Sequence, residues 1–124
     1  MINHVSIGVR EVATSKAFYD AALGALGYEC LSANPDSLGY GRGDIEFWVL
    51  EVRSPLVSDP RSGVHFCFTA DSRAAVVAFH KACIAGGGLD NGRPGLRTEY
   101  GPTYYAAFAI DPDGYRIEAF CGDE

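Results

Sequence analysis

Residues 4–28, HVSIGVREVATSKAFYDAALGALGY, align without a gap with residues 65–89, HFCFTADSRAAVVAFHKACIAGGGL, when the chain is shifted against itself by 61 positions. Six of the 25 aligned pairs are identical, among them His4 with His65. Because Ala-rich helices match by chance, agreement in element type counts for more than the identities. That agreement predicts a duplication of one half-size module.

Each copy begins with a short strand and continues as an amphipathic helix. Apolar residues alternate with smaller or polar ones in both strands, at Val5, Ile7 and Val9 and at Val64, Phe66 and Phe68. In both strands the histidine has opposite parity to these residues. Thr14 or Ser15 can cap the first helix and Asp71 or Ser72 the second, and glycines follow both helices.

Three strand-like stretches follow each helix, separated by turns rich in Pro, Gly, Asn and Asp. They cover residues 28–33, 38–41 and 45–52 in the first half and 95–100, 104–110 and 115–121 in the second. We therefore expect an α+β protein with the order βαβββ twice. Residues 1–124 would form one domain of two modules, 1–52 and 63–124, joined by a linker at 53–62 that carries Pro55 and Ser58.

The composition limits the function classes. Ten Lys and Arg against sixteen Asp and Glu give a formal charge of −6, and no basic cluster overrides that sign. An acidic surface repels phosphate backbones and anionic lipid headgroups, so neither nucleic acid nor membrane is an expected partner. No apolar run is long enough to span a bilayer, and we expect a cytoplasmic protein.

The four cysteines are widely spaced, with no Cys-x-x-Cys pair for zinc or redox chemistry. Each has apolar neighbours in the sequence, so we expect Cys30, Cys67, Cys83 and Cys121 to be buried, reduced thiols.

Three residues form a candidate metal site. His4 and His65 occupy equivalent strand positions and face away from the apolar side chains that should cover the helices. In the last strand Ile117 and Ala119 should pack on a helix, which puts Glu118 on the same face as the histidines. Two imidazoles and one carboxylate suit a divalent transition ion and leave positions for water or substrate.

The sequence resembles the vicinal oxygen chelate superfamily over nearly its whole length. The resemblance rests on the two histidines, Phe18-Tyr19, Leu23-Gly24, Gly27 and the signature DPDGYRIE at 111–118. Members include glyoxalase I, bleomycin-resistance proteins, fosfomycin-resistance thiol transferases, methylmalonyl-CoA epimerase and the extradiol dioxygenases. The resemblance implies paired βαβββ modules forming a curved mixed-sheet cup, a homodimer, and the metal ligands His4, His65 and Glu118.

A fourth ligand position of the superfamily lies on the fourth strand. Glu46 and Trp48 share one parity there, and either could occupy it. If Trp48 occupies that position, the site has only three metal ligands, as in the thiol transferases and dioxygenases. Glyoxalase I uses four.

The second half is longer between its helix and its last strand, which suggests a loop over the cup. This loop, residues 93–105, carries two arginines and three tyrosines. The alternative interpretation of the segment is a solvated hairpin whose tyrosines pack on the strands. We predict that Arg97, Tyr104 and Tyr105 contact substrate, together with Trp48.

The predicted function is a metal-dependent enzyme, lyase- or isomerase-like, acting on a small substrate that chelates Zn, Ni, Mn or Fe through vicinal oxygens. Glu118 would be both ligand and catalytic base. The alternatives are a metal-free ligand-binding protein of the bleomycin-resistance kind, and a thiol transferase or extradiol dioxygenase. Whether His4 meets the other ligands within one chain or across a dimer interface is left open.

Overall fold

The fold repeats one order of elements twice, as the sequence predicts. The computed structural model describes residues 1–54 and 59–123. The first module contains β1 (Val5–Val9), α1 (Val12–Gly24), β2 (Glu29–Asn34), β3 (Ser37–Arg42) and β4 (Asp44–Glu51). The second contains β5 (Phe66–Thr69), α2 (Arg73–Ala85), β6 (Leu89–Leu96), β7 (Tyr105–Ile110) and β8 (Arg116–Cys121). Of the predicted linker 53–62, Pro60–Ser62 form a 3₁₀ turn, while Pro55 and Ser58 lie outside the described residues.

Each module folds into its own four-stranded mixed sheet. The strand orders are β1-β4-β3-β2 and β5-β8-β7-β6. In each sheet the first strand runs parallel to the last, and the remaining pairs are antiparallel. β1 and β5 are therefore both edge strands, and the strand pairing within the described residues does not join the two sheets into one closed cup.

The 61-residue shift holds for the boundaries of the elements. α1 and α2 both have 13 residues, and their first and last residues lie 61 positions apart. The first residues of β1 and β5, Val5 and Phe66, obey the same shift. The repeat in the sequence is thus a repeat of three-dimensional structure.

The two helices begin in different ways. The predicted cap of α2 is confirmed, since the Ser72 hydroxyl accepts a hydrogen bond from the Ala75 N–H at 3.1 Å. The predicted cap of α1 by Thr14 or Ser15 is wrong, because α1 begins at Val12. The Val12 N–H instead donates to Glu51 Oε1 at 3.0 Å, so a residue at the end of β4 satisfies a free amide of the first turn.

The position of β6 also differs from the prediction of a strand at 95–100. β6 ends at Leu96, and the next residues form a turn in which the Arg97 N–H donates to the Tyr104 carbonyl at 2.7 Å. The Tyr100 N–H donates back to the Arg97 carbonyl at 2.9 Å. β6 lies at the edge of its sheet, where Pro94 is tolerated because its missing N–H is not needed for pairing.

One hydrophobic core serves both modules. The helices α1 and α2 pack against each other, and Phe47 of β4 lies with its ring centroid 5.2 Å from Tyr19 and 5.2 Å from Phe68 of the other module. A module of about 60 residues buries too little surface to be stable alone. In the described part of the chain, no helix is long and apolar enough to cross a membrane.

A buried turn in the second module fastens that module to the first. The Asp111 carboxylate accepts hydrogen bonds from the N–H groups of Asp113 at 3.0 Å and Tyr115 at 2.8 Å. Its other oxygen accepts from the hydroxyl of Tyr19, a fully buried residue of α1. Gly114 has φ 95°, which completes the turn in a backbone region that favours glycine.

Three further hydrogen bonds hold the same turn against the first module. Asp113 Oδ1 accepts from both the N–H and the guanidinium of Arg10, each at 3.0 Å. The Tyr115 hydroxyl donates to the Gly8 carbonyl at 2.7 Å. Because β8 starts immediately after this turn, the first module determines the position from which β8 begins.

The cysteines are reduced, and their burial follows the prediction only in part. Cys30, Cys67, Cys83 and Cys121 are all free. Cys83 and Cys121 are buried and Cys30 is half-buried, but Cys67 is exposed. It lies on the face of β5 opposite to the core-facing Phe66 and Phe68.

We expect Tyr19→Phe to lower the free energy of unfolding by about 1–3 kcal/mol at pH 7, because it leaves a buried carboxylate oxygen unpaired. Burial raises the pKa of Asp111, and the Tyr19 hydrogen bond opposes that rise. Without the hydroxyl the folded-state pKa should be higher still. Stability should then fall as pH increases from the unfolded pKa through the folded one.

The loss should therefore be smaller at pH 4 than at pH 7, as measured by urea denaturation at both values. Tyr28→Phe is the matched control, because the Tyr28 hydroxyl donates to the Thr69 carbonyl at an exposed position. An equal loss at both pH values would contradict the assignment to Asp111.

Candidate functional site

Glu118 is a buried carboxylate on the open face of the second sheet. It lies on β8 between β5 and β7, and its side chain is 3% exposed. Its neighbours Ile117 and Ala119 belong to the hydrophobic core on the other face, which confirms the predicted parity. The alternation of β8 thus places one carboxylate among apolar strands and directs it away from the helices.

Both oxygens of this carboxylate have side-chain partners. Nε2 of His65 lies 3.1 Å from Glu118 Oε1. The Tyr104 hydroxyl donates to Oε2 at 2.6 Å. Two of the three predicted metal ligands therefore meet within one chain, and Tyr104 joins them.

A cavity of about 470 Å³ lies over this group, within the range of small-molecule sites. Its walls combine the site residues with other residues of the second module, from strands and from turns, namely Gly63, Val64, His65, Asn91, Tyr100, Tyr104, Phe108, Arg116, Ile117 and Glu118. His65 is half-exposed, so its imidazole is accessible to a small ligand, whereas Glu118 lines the cavity with its side chain buried.

Cys67 is a neighbour of the site that the sequence reasoning missed. It is the register partner of Glu118 on the adjacent strand. Desolvation and the charge of Glu118 raise the pKa of the Cys67 thiol to about 12, so the thiol is neutral at neutral pH. The signal was available, because Cys67 stands two residues after His65 and must share its face of the strand.

His4 lies away from this group. It precedes β1 in the other sheet, is exposed, and its Nδ1 lies 2.8 Å from Asn3 Oδ1. No three His, Cys, Asp or Glu side chains within residues 1–54 and 59–123 form a group that could hold a metal ion. Within one chain, His65 and Glu118 therefore lie on the side of the second sheet, whereas His4, the third predicted ligand, lies beside the first sheet.

The strand registers distinguish Glu46 from Trp48. In the second module Cys67 pairs with Glu118, and in the first module Ser6, 61 positions before Cys67, pairs with Trp48. Trp48 therefore occupies the position equivalent to Glu118. An indole cannot ligate a metal as a carboxylate does, and the equivalent half-site in the first module has no acidic ligand at this position.

Glu46 lines a second cavity, of about 300 Å³, between the modules. Both modules contribute aromatic rings to its wall, from Tyr28, Tyr40, Phe47, Phe66 and Phe68. His65, the residue immediately before β5, lines both cavities.

The structure does not bring Arg97 or Tyr105 to the cavity above Glu118. The Arg97 guanidinium covers the Phe108 ring at 5.4 Å and donates to the Arg93 carbonyl at 2.6 Å. Tyr105 packs against the core, with the Arg73 guanidinium 5.1 Å from its ring centroid. Adjacent residues of a strand point to opposite faces, so Tyr104 and Tyr105 could not both face the site.

The donor chemistry of the pair fits a divalent transition ion. Imidazole nitrogen and carboxylate oxygen are the ligand types that Zn, Mn, Fe and Ni accept. The third histidine, His80, is engaged elsewhere, with Nε2 2.9 Å from Asp90 Oδ1. His65 and Glu118 would hold such an ion, with at least one further ligand from outside this group.

Comparisons with known proteins place this arrangement in a family. The family described as "Glyoxalase/Bleomycin resistance protein/Dioxygenase superfamily" matches residues 1–119. A glyoxalase/bleomycin resistance protein from Albidiferax ferrireducens is 35% identical with a TM-score of 0.85, covering 95% of this chain and 96% of that chain. No curated protein matches the sequence.

Two more distant structures share the fold. A glyoxylase/bleomycin resistance protein/dioxygenase domain from Frankia sp. is 18% identical with a TM-score of 0.71, covering 99% of this chain and 98% of that chain. The fosfomycin resistance protein FosX from Listeria monocytogenes is 15% identical with a TM-score of 0.72, covering 99% and 93%. The family match and the paired βαβββ modules lead to one conclusion: the chain belongs to the glyoxalase/bleomycin resistance protein/dioxygenase superfamily.

Proposed function

We propose that this chain is a divalent-metal-dependent enzyme that acts on a small substrate through two adjacent oxygen atoms. The observation that carries the proposal is the Glu118 carboxylate, 3% exposed, facing a cavity beside the His65 imidazole. Burying a carboxylate is costly unless a cation or hydrogen bonds compensate. Members of the superfamily commonly use divalent metals, and the His65–Glu118 pair offers the right donors for one.

A Zn, Ni, Mn or Fe ion would supply a Lewis acid that polarises a substrate oxygen. His65 supplies a neutral imidazole nitrogen, and Glu118 supplies one carboxylate oxygen. Glu118 lines the cavity and would also be the base for proton abstraction, through Oε1, when substrate displaces that oxygen from the ion. The lining Tyr100 and Phe108 provide an aromatic wall for the body of the substrate.

We assign the third ligand to His4 of a second copy of the chain, in a homodimer. β1 and β5 are both unpaired edges, which readily pair with another chain. The exposed apolar residues Ile2 and Val64 stand beside the two histidines, as expected of a surface that is covered on association. Trp48 would arrive with His4 on the same sheet and face the substrate.

A metal-free ligand-binding protein is the second candidate. The observation in its favour is that the described residues of one chain do not gather three metal-ligating side chains, although the cavity of about 470 Å³ is complete without a third. In this function His65 and Glu118 would bind a polar group of the ligand by hydrogen bonds. The response to metal ions distinguishes the two functions.

Protein purified without chelators should contain close to one divalent ion per chain by elemental analysis. Adding Ni, Mn, Fe or Zn to stripped protein should raise its melting temperature, since an ion at 100 times its Kd stabilises the fold by about 2.7 kcal/mol. His65→Ala and Glu118→Gln should lose this response.

Glu118→Gln is the sharper variant, because an amide can still bond to Tyr104 and His65 while it loses the negative charge. His80→Ala is the matched control, since that histidine pairs with Asp90 outside the site. If stripped wild-type protein responds to none of the four ions, the enzyme proposal is wrong and the metal-free candidate is favoured.

Mixing two inactive variants tests the shared site. His4→Ala and His65→Ala should each lose metal binding. After unfolding and refolding together they should recover roughly one quarter of the wild-type sites, because half of the dimers are mixed and each carries one intact site. A site contained in one chain would recover nothing, and titration with Mn²⁺ measures the difference.

A further inference from the structure

Tyr104 is held rigidly in front of Glu118. Its ring centroid lies 4.1 Å from that of Phe120 and 5.3 Å from that of Tyr100. Its backbone closes the turn after β6, with its carbonyl accepting from the Arg97 N–H at 2.7 Å and its N–H donating to Gly101 at 3.2 Å. Ring and backbone together fix where the hydroxyl points.

The two oxygens of Glu118 are held unequally. The Tyr104 hydroxyl reaches Oε2 at 2.6 Å, the length of a strong bond between a hydroxyl and a carboxylate. His65 reaches Oε1 at 3.1 Å, and His65 is itself a metal-donor candidate that can turn towards an ion. An ion entering the cavity can therefore replace the contact at Oε1 while the bond at Oε2 persists.

We propose that Tyr104 is a positioning residue that reserves Oε2 of Glu118 and presents Oε1 alone to a divalent ion. The inference rests on the proposed metal site. It replaces the role of a substrate contact that the sequence suggested for Tyr104, because the hydroxyl is already engaged with the carboxylate.

Removing the hydroxyl has two consequences for the ion. The carboxylate loses the hydrogen bond that fixes its rotation. Metal binding must then order the carboxylate, which makes the free energy of binding less favourable. Oε2 also becomes free, so Glu118 can chelate the ion through both oxygens. Affinity and coordination number should therefore change together, which loss of packing alone would not produce.

The test compares wild-type protein with Tyr104→Phe, which keeps the ring and removes the hydroxyl. Calorimetric titration with Mn²⁺ should show about 10–100-fold weaker binding, the usual effect of losing a partner of a metal ligand. Visible absorption of the Co²⁺-loaded protein should change, because its intensity reports coordination number. Tyr105→Phe, the same change one residue along on the opposite face, should alter neither measurement.

A second variant keeps the test independent of the hydroxyl substitution. Phe120→Leu removes the ring that braces Tyr104 and should weaken Mn²⁺ binding by a smaller factor. The positioning role is wrong if the wild type binds Mn²⁺, Tyr104→Phe binds it within twofold of the wild-type affinity, and the Co²⁺ spectrum is unchanged. The proposed metal site would stand in that case. Absence of Mn²⁺ and Co²⁺ binding by the wild type overturns the positioning role, and absence of any response to Ni, Mn, Fe and Zn overturns the proposed metal site as well.

Discussion

The buried Asp111 carboxylate is the constraint on which the arrangement of this molecule depends. It is bonded to two backbone amides of its own turn and to the Tyr19 hydroxyl of the other module. Neither module has a core of its own, so their mutual position is set where they touch. This contact fixes the origin of β8, and β8 carries Glu118. The chemistry of the second sheet is thus positioned by a hydrogen bond to a helix of the first.

The duplicated fold places one candidate half-site on each sheet, and these two half-sites are not equivalent. Strand register matches Glu118 to Trp48, so the second module has a histidine and a carboxylate where the first has a histidine and an indole. The two half-sites of one chain lie on separate sheets. Each of the edge strands β1 and β5 begins directly after a histidine, and an exposed apolar residue, Ile2 or Val64, lies within two residues of that histidine. The proposed sharing of the site between copies rests on this arrangement.

The sequence predicted the architecture well because the governing signals were local and repeated. The observed bounds of the two helices obey the 61-residue shift to the residue, and strand alternation placed Glu118 opposite the core. Features that depend on distant partners were not predictable. The first turn of α1 is capped by the Glu51 carboxylate, which accepts from the Val12 N–H although the two residues are 39 positions apart. No local sequence pattern predicts that hydrogen bond. The predicted position of β6 was wrong because backbone hydrogen bonds of Arg97 with Tyr104 and Tyr100 form a turn directly after Leu96. Arg97 was assigned to the site for its charge, whereas its guanidinium stacks on Phe108 and is not among the residues that line the cavity.

Trp48 has a consequence for how the molecule can be observed. It is the single tryptophan of the chain, it is only partly buried, and it lies on the sheet face that carries His4. Indole emission depends on contact with water. The protein therefore carries an intrinsic fluorophore at the surface where a second copy would dock, and the wavelength of that emission reports association without any attached label.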